Sequence, residues 1–158
     1  MVKIEINYSE LMETFTLLLE YLSGKRARNA DEYYRFTVCD ADSRLLHRLL
    51  RESLAWISAN AVKIWGGSVI MDDTIKIGFG FGSEEGDDLA RTDEFRWMVT
   101  DLLIYRMIFL WLRLTGSLEA LQWESRSVSL LEKLSEMEHR LKLTKGLCVR
   151  RTFPFGNF

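Results

Sequence analysis

Residues 97–114 read WMVTDLLIYRMIFLWLRL, and how this stretch is resolved decides the fold. It is apolar enough, and about long enough, to suggest a bilayer span. It also carries Asp101, Arg106 and Arg113. A charge near the middle of a span costs about 2.5–3.5 kcal/mol on insertion scales. Arg113 can snorkel to an interface, but Asp101 and Arg106 remain expensive. A helix buried on most sides of a helical bundle accounts for the stretch better. Asp101 and Arg106 are not spaced to pair along one helix face. Each is therefore expected to meet a partner elsewhere in the bundle or at an interface, and losing one would cost about 3–5 kcal/mol.

Working outward, Thr92 is placed to cap this helix, with Asp93 and Glu94 in its positive first turn. Gly116 ends it and Ser117 caps a further helix reaching about Thr144. The buried side of that helix is expected to hold Leu121, Val128, Leu131, Leu134 and Leu141. Glu136–Arg140 and Glu138–Lys142 have the favourable i,i+4 order. Gly146 is read as its stop. On the other side, Ile75, Ile77, Phe79 and Phe81 alternate with Thr74, Lys76, Gly78 and Gly80, the period of a strand. Ser68–Met71 precedes it, and Asp72-Asp73 is a candidate hairpin turn, although Asp-Gly would be preferred there.

Near the beginning of the sequence, Val2, Ile4 and Ile6 alternate with Lys3 and Glu5, which suggests a short strand. Asn7 can then cap a helix running to about Leu22, with Glu10 in the capping-box position and Ile6 and Leu11 as a hydrophobic staple. Gly24 follows as a stop. Asp40 or Asp42 can cap another helix, in which Leu46, Leu50, Leu54, Ile57, Ala61 and Trp65 form one stripe before Gly66-Gly67. The expected fold is α+β and predominantly α: a four-helix, bundle-like core with a small β-hairpin near 68–82 and an N-terminal strand. Residues 1–146 are read as one helical domain and 147–158 as an extended aromatic tail.

A chain of 158 residues with 47% hydrophobic content can bury a sizeable core without a metal or disulfide. The formal net charge of −2 disfavours nucleic-acid binding. The charge is uneven, however. Residues 84–101 are acidic, whereas residues 140–158 carry Arg140, Lys142, Lys145, Arg150 and Arg151 and no acid. Cys39 and Cys148 form no metal or redox motif and are read as reduced thiols of a cytoplasmic protein. The first residues, with Glu5 inside a short apolar run, do not read as a signal peptide.

No catalytic, cofactor or metal site emerges. His47 and His139 lie on helices rich in polar residues, without the nucleophile and orienting group that covalent catalysis needs. Glu84, Glu85, Asp87 and Asp88 lack the ligand spacing of a calcium loop. Gly78, Gly80 and Gly82 match neither a dinucleotide fingerprint nor a phosphate loop; they leave one bare strand face that another backbone or a flat ring can approach.

The segment Arg150-Arg151-Thr152-Phe153-Pro154-Phe155-Gly156-Asn157-Phe158 is unusual for its density of aromatics. It can cover the chain's own core or insert into a neighbour. These features point to a non-enzymatic interaction or assembly module that works with itself, as a homo-oligomer, or with another protein, and not with a membrane. The candidate contact residues are Gly78, Phe79, Gly80, Phe81, Arg150, Arg151, Phe153, Phe155 and Phe158. Small virion connectors or adaptors of tailed phages offer an architectural parallel, which would place the protein in assembled particles. The competing expectation is a ligand-binding or catalytic domain with a pocket lined by Trp56, Trp65, Trp97, Trp111 and Trp123.

Overall fold

The apolar stretch forms most of a 26-residue helix, α3 (Leu89–Leu114), onto which the rest of the fold is packed. The computed structural model describes residues 2–26, 38–62, 65–80 and 89–152. Ahead of α3 come β1 (Val2–Asn7), α1 (Tyr8–Arg26), a 3-10 turn (Asp40–Asp42), α2 (Ser43–Asn60), β2 (Trp65–Met71) and β3 (Thr74–Phe79). After it comes α4 (Ala120–Thr152). Helix α3 packs on β1, α1, α2 and α4. This explains why its apolar residues run nearly all round: Val99, Leu102, Leu103, Met107 and Ile108 are fully buried. Each contributes about 1.5–3 kcal/mol by leaving water.

The three strands form one antiparallel sheet in the order β1-β3-β2. The alternation in β3 is realised: Ile75, Ile77 and Phe79 are buried while Lys76 is exposed. Ile4 and Ile6 of β1 share that buried face, in register with Ile77 and Ile75. On the opposite face Lys76 lies 3.5 Å from Glu5. The sheet and the helices thus share a single core, which is what a lone hairpin lacks.

Asp72-Asp73 is the hairpin turn, since Met71 and Thr74 are paired across it. Asp72 takes φ 49°, a left-handed conformation that Asp tolerates better than most residues. Asp73 has a further role that suits a carboxylate. Its Oδ1 accepts from the Ser9 hydroxyl at 2.6 Å and the Ser9 N–H at 3.2 Å, and its carbonyl accepts from the Tyr8 N–H at 2.8 Å. The turn therefore caps α1 from outside, beside the Asn7 side chain that accepts from the Glu10 N–H at 3.0 Å.

Several boundaries differ from expectation. Helix α1 continues past Gly24 to Arg26. Helix α2 ends at Asn60, and Trp65 opens β2 instead of completing the helical stripe. Its ring packs edge-to-face on Phe79 at 5.7 Å, a contact available only from the sheet. Asp42 stands at the N-cap of α2, but its carboxylate accepts from the Cys39 N–H at 2.9 Å and leaves the helix N–H groups alone. Thr92 lies inside α3, because the helix begins at Leu89. Gly116 does end α3. At φ 72° its N–H donates to the Arg113 carbonyl, and the Ser117 N–H reaches the Leu112 carbonyl, the paired bonds of a Schellman cap. Helix α4 runs unbroken past Ser125–Ser129 and through Gly146 to Thr152. The expected extended tail is thus helical over residues 147–152.

Candidate interaction surfaces

Helix α4 positions the first of these surfaces. It packs principally on α3, so one stripe is enough to hold it. That stripe is Ala120, Trp123, Ser127, Leu131 and Leu134, all buried. Its anchor is Trp123, whose ring meets Tyr105 of α3 at 5.5 Å. The expectation that Leu121 and Val128 join Leu131 and Leu134 in the core is corrected: Leu121 is 67% exposed and Val128 40%. The large indole fixes the rotation of the helix, and that rotation turns Leu121 outward. Leu114 at the end of α3 and Leu118 in the following turn are also exposed, at 61% and 93%. The tip of the α3–α4 hairpin and the adjoining face of α4 therefore present several aliphatic side chains to solvent.

A second surface lies where α3 passes the end of β1 and the start of α1. A groove of about 600 Å³ opens there, with Trp97 at its edge and Glu5, Glu10, Thr14 and Arg96 among its lining residues. Trp97 is 68% exposed. The Arg96 guanidinium is held by Asp93 at 2.9 Å. Asp93, Trp97 and Asp101 follow one another at i,i+4 spacing and are all exposed, so they share one helix face. The Asp101 carboxyl is pushed above its ordinary value by partial burial.

Arg106 points inward from the same helix. Its guanidinium lies 4.2 Å from the Trp56 ring centre and 4.5 Å from that of Phe109. Its Nε and Nη1 are buried without a hydrogen-bond partner. Desolvation lowers its pKa, and Arg113 works in the same direction while Glu124 opposes it. The partner expected for Arg106 is found in two aromatic faces, with the Glu124 carboxylate near enough to favour its charge.

A smaller recess of about 370 Å³ is lined by Tyr8, Ser43, Arg44, His47 and Asp72. The Tyr8 and His47 rings are 6.0 Å apart and tilted. Burial, followed by the nearby Asp73 charge, raises the Tyr8 pKa. The Cys39 thiol is turned towards Asp42 Oδ2, at 3.2 Å. Among the described residues, no group of His, Cys, Asp and Glu side chains is placed to hold a metal ion, and no helix is long and apolar enough to cross a membrane.

The residues singled out from the sequence are dispersed. Phe79 is fully buried, edge-on to Phe95 at 5.5 Å, so it serves the core. Gly78 lies in the central strand opposite Lys3 and Gly67. The close backbone approach in this sheet is made by Gly66, where an added Cβ would come within 2.9 Å of the Gly78 carbonyl oxygen. Gly80 is exposed just beyond β3. Phe81, Phe153, Phe155 and Phe158, and the acidic loop 84–88, lie outside the described residues; Arg150 and Arg151 are described in backbone only, within α4. The tryptophans do not gather. Trp111 and Trp123 are buried, Trp56 and Trp65 pack partly against the core, and Trp97 faces solvent. Sequence reasoning passed over Trp97 as a surface residue. The signal available was its flanking by Asp93 and Asp101 on one face. No known protein family matches the chain, and neither a curated protein nor a solved structure shows significant similarity to it.

Proposed function

We propose that this protein is a non-enzymatic assembly module that acts as a homo-oligomer, of the kind used by small virion connectors and adaptors of tailed phages. The observation that supports this reading best is the uncovered apolar tip of the α3–α4 hairpin, where Leu114 at the end of α3, Leu118 in the turn and Leu121 at the start of α4 are each more than 60% exposed. Aliphatic side chains clustered on a surface favour a partner surface that removes them from water. A second copy is the simplest such partner, because a self-complementary patch closes a symmetric contact. Leu118→Glu combined with Leu121→Glu tests this. Both residues are exposed, so the variant keeps its helical content and melting temperature as an isolated chain. Its mass by light scattering falls relative to the native protein across a concentration series. An unchanged oligomeric mass removes the tip from the interface.

A further inference from the structure

The groove beside Trp97 has a chemistry of its own. An exposed indole is flanked along α3 by Asp93 and Asp101, with Glu5 and Glu10 among the residues across the groove. Arg96 is already neutralised by Asp93. Asp93 and Glu5 are engaged by Arg96 and Lys76, which leaves Asp101 one turn along the helix and Glu10 across the groove. A flat π face with carboxylates at these two places suits an arginine that stacks on the ring while its N–H groups meet the acids. The chain supplies a segment of that chemistry. Residues 140–158 contain five basic residues and no acid, and Arg150-Arg151 are followed closely by Phe153-Pro154-Phe155. Pro154 confines Phe153 to extended conformations, which suits lying along a groove.

The segment cannot serve the groove of its own chain. The Tyr105–Trp123 ring contact marks one level of the α3–α4 hairpin. From that level Trp97 lies back along α3 and Thr152 far along α4, in the same direction but about 30 Å further than Trp97 at 1.5 Å rise per residue. Phe155 follows Thr152 by three residues, a reach of about 10 Å when fully extended. Arg150 and Arg151, inside the helix, are no closer.

We propose that Trp97 and its surrounding carboxylates receive the Arg150–Phe155 segment of a second copy of the chain. This rests on the assembly reading above and specifies a contact distinct from the hairpin tip. Because groove and segment are different surfaces, the contact is heterologous, and repetition of it builds a ring or a filament.

The test uses three full-length proteins: the native chain, Trp97→Ala, and Arg150→Glu with Arg151→Glu. Trp97 is exposed, so its removal leaves the circular dichroism spectrum and melting temperature unchanged. Each variant alone assembles less, with the dissociation constant raised about tenfold or more, as truncation of an aromatic or arginine anchor does. Mixing the variants restores one sound contact per pair, an intact segment from one meeting an intact groove from the other, and raises the mass above that of either variant alone. A synthetic peptide of residues 149–158 added to the native protein lowers its mass by competition and needs no substitution. Native-like mass in both variants, with no effect of the peptide, overturns this contact and leaves assembly through the hairpin tip standing. A native protein that is monomeric at every concentration overturns the assembly reading itself, and this contact with it.

Discussion

Arg106 shows how an expected interaction can change sign once its surroundings are seen. With two guanidinium nitrogens buried and unbonded, the side chain carries a desolvation cost that its aromatic contacts only offset. Cation–π contacts are worth about 0.5–2 kcal/mol, comparable with the cost of an unsatisfied buried donor. Arg106→Met keeps most of the packing volume and removes the charge, so urea unfolding of the monomer changes by less than about 1.5 kcal/mol in either direction. A loss of 3 kcal/mol or more would mean that the guanidinium has a carboxylate partner after all. Asp101 makes the opposite case at the surface. Its folded-state pKa is raised, so between the unfolded and folded values the native state holds more protons. Stability contributed by this group is therefore greatest at low pH and is lost as pH rises through that window. Asp101→Asn flattens this part of the pH–stability profile and makes the protein more stable at neutral pH. A steeper profile, or a less stable variant at pH 7, would contradict the assignment.

At the scale of elements, the glycines separate structural need from convenience. Gly66 sits where β2 shifts register, between Trp65 and Gly67, and an added Cβ there meets backbone, which cannot swing aside. Gly116 has open space but a left-handed backbone. Gly66→Ala therefore costs about 1–3 kcal/mol through overpacking, and Gly116→Ala about 1 kcal/mol through backbone strain; calorimetric melting should order them that way. These positions also mark what was legible in the sequence. The central helix, the β3 alternation, the Asn7 cap, the Asp72-Asp73 turn and the Gly116 stop each follow from a local signal, a period or a special residue. Trp65 and Leu121 were misplaced because each fits a helical period equally well. Only Phe79 across the sheet, and Trp123 against Tyr105, decide which way those segments face. Gly146 reads as a stop because glycine favours helix ends, yet propensity is a weak preference and a long helix tolerates one glycine at about 1 kcal/mol. Of the contact residues proposed from sequence, Phe79 is spent on the core. The groove at Trp97 was hidden because its walls come from four separate elements.

For the molecule as a whole, α3 is the organising element. It packs on β1, α1, α2 and α4. Since α4 leans mainly on α3, Leu121 and Val128 on its first turns and the hairpin tip stay exposed. Folding rests on the buried face of α3, and in the proposed assembly the apolar tip makes one contact and the groove at Trp97 the second. That assembly requires self-association of the native chain. Sedimentation velocity of the full-length protein across a wide concentration range at physiological salt tests that claim most directly. A mass-action shift from a one-copy species to larger discrete species is expected as concentration rises, while a single species of one-chain mass at every concentration would contradict self-association.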